Sequence, residues 1–222
     1  LLVAHDLTQE EIAQLDDAER LLHLVGRLSD RHEAGRPQPW ALGDAPREYI
    51  DAMLRAIVGQ QVSVKGAITI MGRLVARTQA QFGTAQLPTP TQLCELDLDG
   101  IGMPGSRIRT LQGLASALAS GALTLGSASD EQLLALPGIG PWTVAYWRLR
   151  CGLDTDAFPA SDLVLQKALG GGDKLPMKEV TARSAPWQPW RAYAASWLWH
   201  AMSEQPALLT RPTQTQDEEK SP

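Results

Sequence analysis

The sequence is poor in cysteine, in clustered histidine, in strand signals and in long apolar runs, and each shortage excludes a class of protein. Two cysteines, Cys94 and Cys151, make no disulfide framework and cannot supply a four-Cys metal or iron–sulfur site. The histidines (His5, His23, His32, His200) are scattered without the spacing of zinc ligands. No apolar run reaches the ~18 residues of a membrane span. The first residues lack the basic-then-apolar layout of a signal peptide, so a cytoplasmic protein of the bacterial cytosol or nucleoid is expected. No alternating pattern and no Asn-Gly turn marks a hairpin of strands, and the chain reads as all α.

What is present is helix. The 222 residues suffice for one domain or two closely packed halves. Thr8 to Glu11 forms a capping box for a helix through Leu21 to about Leu28, and a loop with Trp40 follows between Pro37 and Pro46. Ile50, Met53, Leu54 and Ile57 share a helical face that ends at Gly59-Gln60-Gln61-Val62, where Ser63 can cap the next helix. That helix is expected to bury Val64, Ile68, Met71, Val75 and Phe82. A short helix at Leu93 and another carrying Ile108, Leu111, Ala115 and Leu118 flank Asp99-Gly100-Ile101-Gly102-Met103-Pro104. Later helices are expected at Ser161 to Leu169, after Pro176, and from Pro189 to Glu204. The last of these should bury Trp190, Tyr193, Ala194 and Trp197. Beyond Pro206 the chain is polar and without period.

The net charge of −5 argues against a nucleic-acid partner until it is divided. Residues 1–40 hold 8 acids and 4 bases, residues 213–222 hold 3 and 1, and residues 41–212 hold 14 acids and 15 bases. The acidity sits at the ends. In a near-neutral body, phosphate contact must come from placed arginines and backbone N–H groups. Arg107, Arg109, Arg148 and Arg150 could serve, or could merely solvate helix faces.

Leu136-Pro137-Gly138-Ile139-Gly140-Pro141-Trp142-Thr143 is the most informative stretch. An apolar run, Leu133 to Leu136, enters it behind Ser129 as N-cap and an acidic first turn, Asp130 and Glu131. Pro137 breaks that helix, Gly138 and Gly140 can take positive φ angles, and Pro141 suits the first position of a second helix. Backbone N–H groups beside a helix N-terminus favour an anion, and a phosphodiester fits.

With Phe158-Pro159-Ala160-Ser161-Asp162 about two dozen residues later, the stretch resembles the helix-hairpin-helix DNA glycosylase superfamily. Within it the chain looks most like the 3-methyladenine DNA glycosylase II (AlkA) branch, over roughly residues 45–205. The resemblance implies a helix-hairpin-helix glycosylase fold of two helical subdomains with the active-site cleft between them. Residues 1–44 would be a helical extension in place of the β-rich domain that such relatives often carry, and 206–222 a disordered tail. It implies a monomeric enzyme acting on double-stranded DNA that contains alkylated bases of the 3-methyladenine and 7-methylguanine type. No membrane and no organic cofactor are implied, although carbonyls near Leu136 and Ile139 could hold a monovalent cation.

The same resemblance assigns Asp162 as the catalytic carboxylate, where the residue taken alone reads as a helix-dipole partner. Relatives often carry two consecutive acids; here Ser161 precedes Asp162. Trp142, Tyr146 and Trp199 match base-pocket positions, and Gln60, Gln61, Gly138, Gly140 and Thr143 match DNA-binding ones, with Gln61 filling the gap behind a flipped base. Small residues near Trp199 (Ala192, Ala195, Ser196) would leave an open floor beneath its ring, and Ala145 and Leu149 would be core. Trp142 stands where bifunctional relatives such as endonuclease III carry a Schiff-base lysine, which implies a monofunctional enzyme without lyase activity. The rival readings are a non-catalytic DNA-binding hairpin module and a glycosylase for deaminated or mismatched bases.

Overall fold

The computed structural model of the chain describes residues 46–204. The expected capping box at Thr8, the helix to Leu28, the loop from Pro37 and the tail beyond Pro206 lie outside the described residues. The described residues hold nine α-helices and no strand. They fall into two compact units that part between Pro159 and Ala160.

The first unit begins with α1, Pro46–Gly59. Its 52–54 and 56–58 runs are buried, as the helical spacing of Met53, Leu54 and Ile57 requires. Helix α2, Val64–Phe82, is capped by the Ser63 hydroxyl, which accepts from the Gly66 N–H at 3.1 Å. Its buried face is Ile70, Met71, Leu74 and Thr78, while Val64 and Ile68 are 79 % and 67 % exposed. The expected stripe is therefore rotated. The first turns of α2 stand clear of the core, and the face that packs lies about one residue round the helix.

Two short helix pairs follow, and they repeat one design. Helix α3, Pro90–Glu95, starts in a capping box made by Thr89 and Gln92; helix α5, Asp130–Leu134, starts in one made by Ser129 and Gln132. Each leads into a Gly-Ile-Gly turn closed by the same bond, Ile101 N–H to the Leu98 carbonyl at 3.3 Å and Ile139 N–H to the Leu136 carbonyl at 3.1 Å. Both isoleucines are buried. Helix α4, Gly105–Ala119, leaves the first turn and helix α6, Pro141–Arg150, leaves the second. The surroundings differ. Around the first turn, Arg73 donates to the Ile101 carbonyl at 3.1 Å, and Arg77 donates to the Asp97 and Asp99 carbonyls, both at 2.5 Å.

Helix α6 buries Thr143, Val144, Trp147 and Leu149. Leu149 is core as expected, but Ala145 is only half-buried and Trp147 is the anchor. The Trp147 indole N–H donates to the Tyr49 carbonyl at 2.9 Å, and the two rings meet edge-on at 6.1 Å. This satisfies the one polar atom of a fully buried Trp and binds α6 to α1.

The second unit comprises α7, Leu163–Leu169, α8, Met177–Ser184, and α9, Arg191–Glu204. Both α8 and α9 pack on α7. Helix α9 buries Tyr193, Ala194 and Leu198, whereas Trp190 and Trp197 are half-buried. Ala192 and Ala195 are themselves buried, so they form no open floor.

Candidate nucleic-acid interface and active site

The second Gly-Ile-Gly turn has one glycine that the backbone demands and one that it does not. Gly138 sits at φ +84°. A Cβ added there would also lie 1.9 Å from the Thr110 hydroxyl on α4, so the turn is seated directly on that helix. Gly140 is extended, at φ −109° and ψ 177°, contrary to the expected positive φ, because it serves as the N-cap of α6. A Cβ there would meet nothing within 4 Å. Its missing side chain therefore leaves open approach to the first turn of α6, whose N–H groups have no intrahelical partners.

The Leu136 carbonyl spends one lone pair on Ile139 and can offer the other. No cluster of His, Cys, Asp or Glu among the described residues could hold a metal ion. A monovalent cation at Leu136 and Ile139 would rest on neutral carbonyls, a donor set suited to a singly charged ion, and would add positive charge beside the turn.

Gln60 and Gln61 part company in the structure. The Gln60 amide donates to the Gly138 carbonyl at 3.0 Å and to the Thr143 hydroxyl at 2.9 Å, so it faces the turn. Thr143 is 2 % exposed and serves as its acceptor. Gln61 is exposed and holds φ +53°, the one positive φ of a non-glycine among the described residues. Side-chain sterics disfavour that conformation by ~1–2 kcal/mol.

Trp142 and Tyr146, one turn apart on α6, stack with centroids 5.1 Å apart and planes at 17°. Tyr146 also lines a cavity of about 240 Å³ with Ala52, Arg55 and Arg150. Arg55 was not singled out by sequence, since one basic residue on the outer side of an amphipathic helix carries no signal. Arg148 is engaged internally: it pairs with Asp130 at 2.5 Å, donates to the Ala128 carbonyl at 3.1 Å and lies over the Trp147 ring. Arg107 is 7 % exposed with Nη1 unbonded, and burial holds its guanidinium below the usual arginine range. Arg109 remains exposed.

In the second unit, Asp162 is the N-cap of α7. Its Oδ1 accepts from the Val164 N–H at 2.9 Å and the Leu165 N–H at 3.1 Å. A third donor reaches the same oxygen from 37 positions away: the Trp199 indole N–H, at 3.1 Å. Three donors on one oxygen fix the direction of the carboxylate. Ser161 is exposed beside it. A carboxylate so held can face developing positive charge without reorganising.

This constellation has relatives. The chain is 40 % identical over 177 residues to the protein of Mycobacterium tuberculosis named "Probable bifunctional transcriptional activator/DNA repair enzyme AlkA", covering 71 % of this chain and 36 % of that one. It is 32 % identical over 169 residues to DNA-3-methyladenine glycosylase 2 of Escherichia coli, covering 69 % and 57 %. The solved structure of Schizosaccharomyces pombe 3-methyladenine DNA glycosylase (Mag1), in complex with abasic DNA, superposes with a TM-score of 0.66 at 26 % identity over 88 % of this chain and 96 % of that one. The chain is similar to 3-methyladenine DNA glycosylases of the AlkA type over about 70 % of its length. It spans about a third of the M. tuberculosis relative and somewhat over half of the E. coli one.

A family model described as "Putative FMN-binding domain" also matches, over residues 8–66. The described part of that match is α1 and the start of α2, and α1 spends Met53, Leu54, Ile57 and Val58 on the hydrophobic core of the first unit.

Proposed function

We propose that this chain is a monofunctional DNA glycosylase that flips an alkylated base out of duplex DNA and hydrolyses its N-glycosidic bond. Asp162, with three donors on one oxygen, is the observation that carries the reading. Breaking the bond builds positive charge on the sugar, which a preorganised carboxylate stabilises, and the same group can activate a water. The second Gly-Ile-Gly turn would hold a backbone phosphate, and Trp199, bonded to Asp162, would supply a π-face for the base. Incubating the protein with randomly methylated DNA and identifying the released bases tests the reading. Release of 3-methyladenine and 7-methylguanine is expected. Damage-dependent binding without release would instead support a non-catalytic module.

Trp142 stands where a Schiff-base mechanism needs an amine. Borohydride added during turnover is therefore expected to trap no covalent protein–DNA adduct, and strand breaks should appear only after alkali. A trapped adduct would overturn the monofunctional assignment.

Trp199 offers both a ring and an N–H. Trp199→Ala is expected to slow release of cationic 3-methyladenine and 7-methylguanine more than release of neutral hypoxanthine. A desolvated cation over the ring gains ~2 kcal/mol, about thirtyfold in rate. Trp199→Phe keeps a ring but drops the bond to Asp162, so it should recover the preference for cationic bases while all rates stay low. Equal losses for both base types in Trp199→Ala would reduce the ring to shape alone.

A further inference from the structure

We infer that Gln60 is a positioning residue, which ties the Gly138 turn to the loop tip at Gln61 so that holding the DNA backbone and filling the gap behind a flipped base are one event. The inference rests on the proposed function. Its basis is a bridge within the first unit between segments 78 and 83 positions apart in sequence: one side-chain nitrogen donating to the Gly138 carbonyl at 3.0 Å and to the Thr143 hydroxyl at 2.9 Å.

The geometry constrains the loop closely. Gln60 begins the link between α1 and α2, and its backbone N–H still bonds the Ile57 carbonyl at 3.3 Å. With its side chain on the turn, Gln60 is held at both ends. The next residue, Gln61, must then take φ +53°, which points the chain outward at a conformation that a side-chain-bearing residue avoids. An unconstrained link would relax. Strain that persists at one exposed residue implies that its neighbours over-determine it. Thr143 is buried in the first turn of α6, the turn that Gly140 caps, so the bridge ends on the helix N-terminus expected to meet the phosphate. The Gly138 carbonyl can only accept, so a donor such as the Gln amide serves it and an ionised carboxylate of the same shape cannot.

The test is a double-substitution cycle on paired methylated DNA and on the same DNA after heat denaturation, read as single-turnover release of 7-methylguanine. Gln60→Ala is expected to slow release from paired DNA about tenfold, the worth of two modest hydrogen bonds. The loss should be several-fold smaller on denatured DNA, where extrusion costs less. In a Gln61→Ala background, adding Gln60→Ala should cost less than about twofold more, because the residue it positions is gone. Gln60→Glu, which keeps the shape, should match Gln60→Ala, and Thr143→Ser should lie nearer wild type than Thr143→Val. Thermal unfolding of each variant identifies any that is merely misfolded, and Gln60→Glu carries the test if Gln60→Ala is. A Gln61→Ala loss equal on both DNA forms would sink the gap-filling role and the coupling with it. A Gln61→Ala loss confined to paired DNA, with Gln60→Ala additive to it, would overturn the coupling alone.

Discussion

Asp162→Asn is expected to lower base release by about 10²- to 10³-fold, the usual cost of removing one preorganised electrostatic partner of a transition state. The fold should barely respond. Asn is as good an N-cap as Asp, and its side-chain oxygen can still accept from Val164, Leu165 and Trp199. Only the charge is lost, with the few tenths to 1 kcal/mol that it contributes against the dipole of α7. Asp162→Ala differs in kind, since it also deletes the cap, at ~1 kcal/mol, and leaves the Trp199 N–H without its acceptor. Both variants should still bind a duplex with an abasic site. Single-turnover release and melting, measured together on the pair, separate charge from structure. Wild-type turnover in Asp162→Asn would move the chemistry to another residue.

The two glycines of the second turn should fail in different ways. Gly138→Ala places a Cβ at φ +84° and against the Thr110 hydroxyl. The conformation costs ~1–2 kcal/mol and the overlap ~1–3 kcal/mol. A melting loss of roughly 5–15 °C follows for a chain of this size. Thr110→Ala in the same chain should return part of it. Gly140→Ala adds a methyl to open space at an ordinary backbone angle, so melting should stay within about 2 °C. Its affinity for damaged and undamaged duplex should nonetheless fall together, since a phosphate contact carries no base information. If folded Gly140→Ala binds both duplexes as well as wild type, the turn is a turn and nothing more.

These contrasts show which parts of the molecule were legible in the sequence. Caps, breaks and starts read well: Ser63, Ser129, Pro137 and Pro141 act within four residues of themselves. Faces read less well. On α2 the buried stripe takes Ile70 and Leu74 rather than Val64 and Ile68, and on α6 it takes Val144 and Trp147 rather than Ala145, because several near-equivalent stripes compete on each helix. Packing of α1 decides between them, and no local pattern carries that. The motif resemblance singled out Asp162 and Trp199 separately, but the bond joining them crosses 37 positions. The Gln60 bridge crosses more. Sequence placed Gln60 and Gln61 side by side as two DNA-binding glutamines; the structure turns one inward and one out.

The repeated Gly-Ile-Gly turn sets a discrimination problem inside a single chain. A ligand that reads the turn itself would meet two similar seats, each behind a capping box and each before a helix, which part at the second glycine: Gly102 is at φ +102° and Gly140 is extended at −109°. Charge separates them further. The first copy presents two exposed carboxylates, Asp97 and Asp99, and its carbonyl edge is already occupied by Arg73 and Arg77. The second has no ionisable side chain from Ala135 to Thr143, and its Gly138 carbonyl is met by the neutral Gln60 amide instead of a guanidinium. If the second turn takes a phosphate as proposed, the lettering around the two doorways, four charged side chains at one and none at the other, would help to direct the anion.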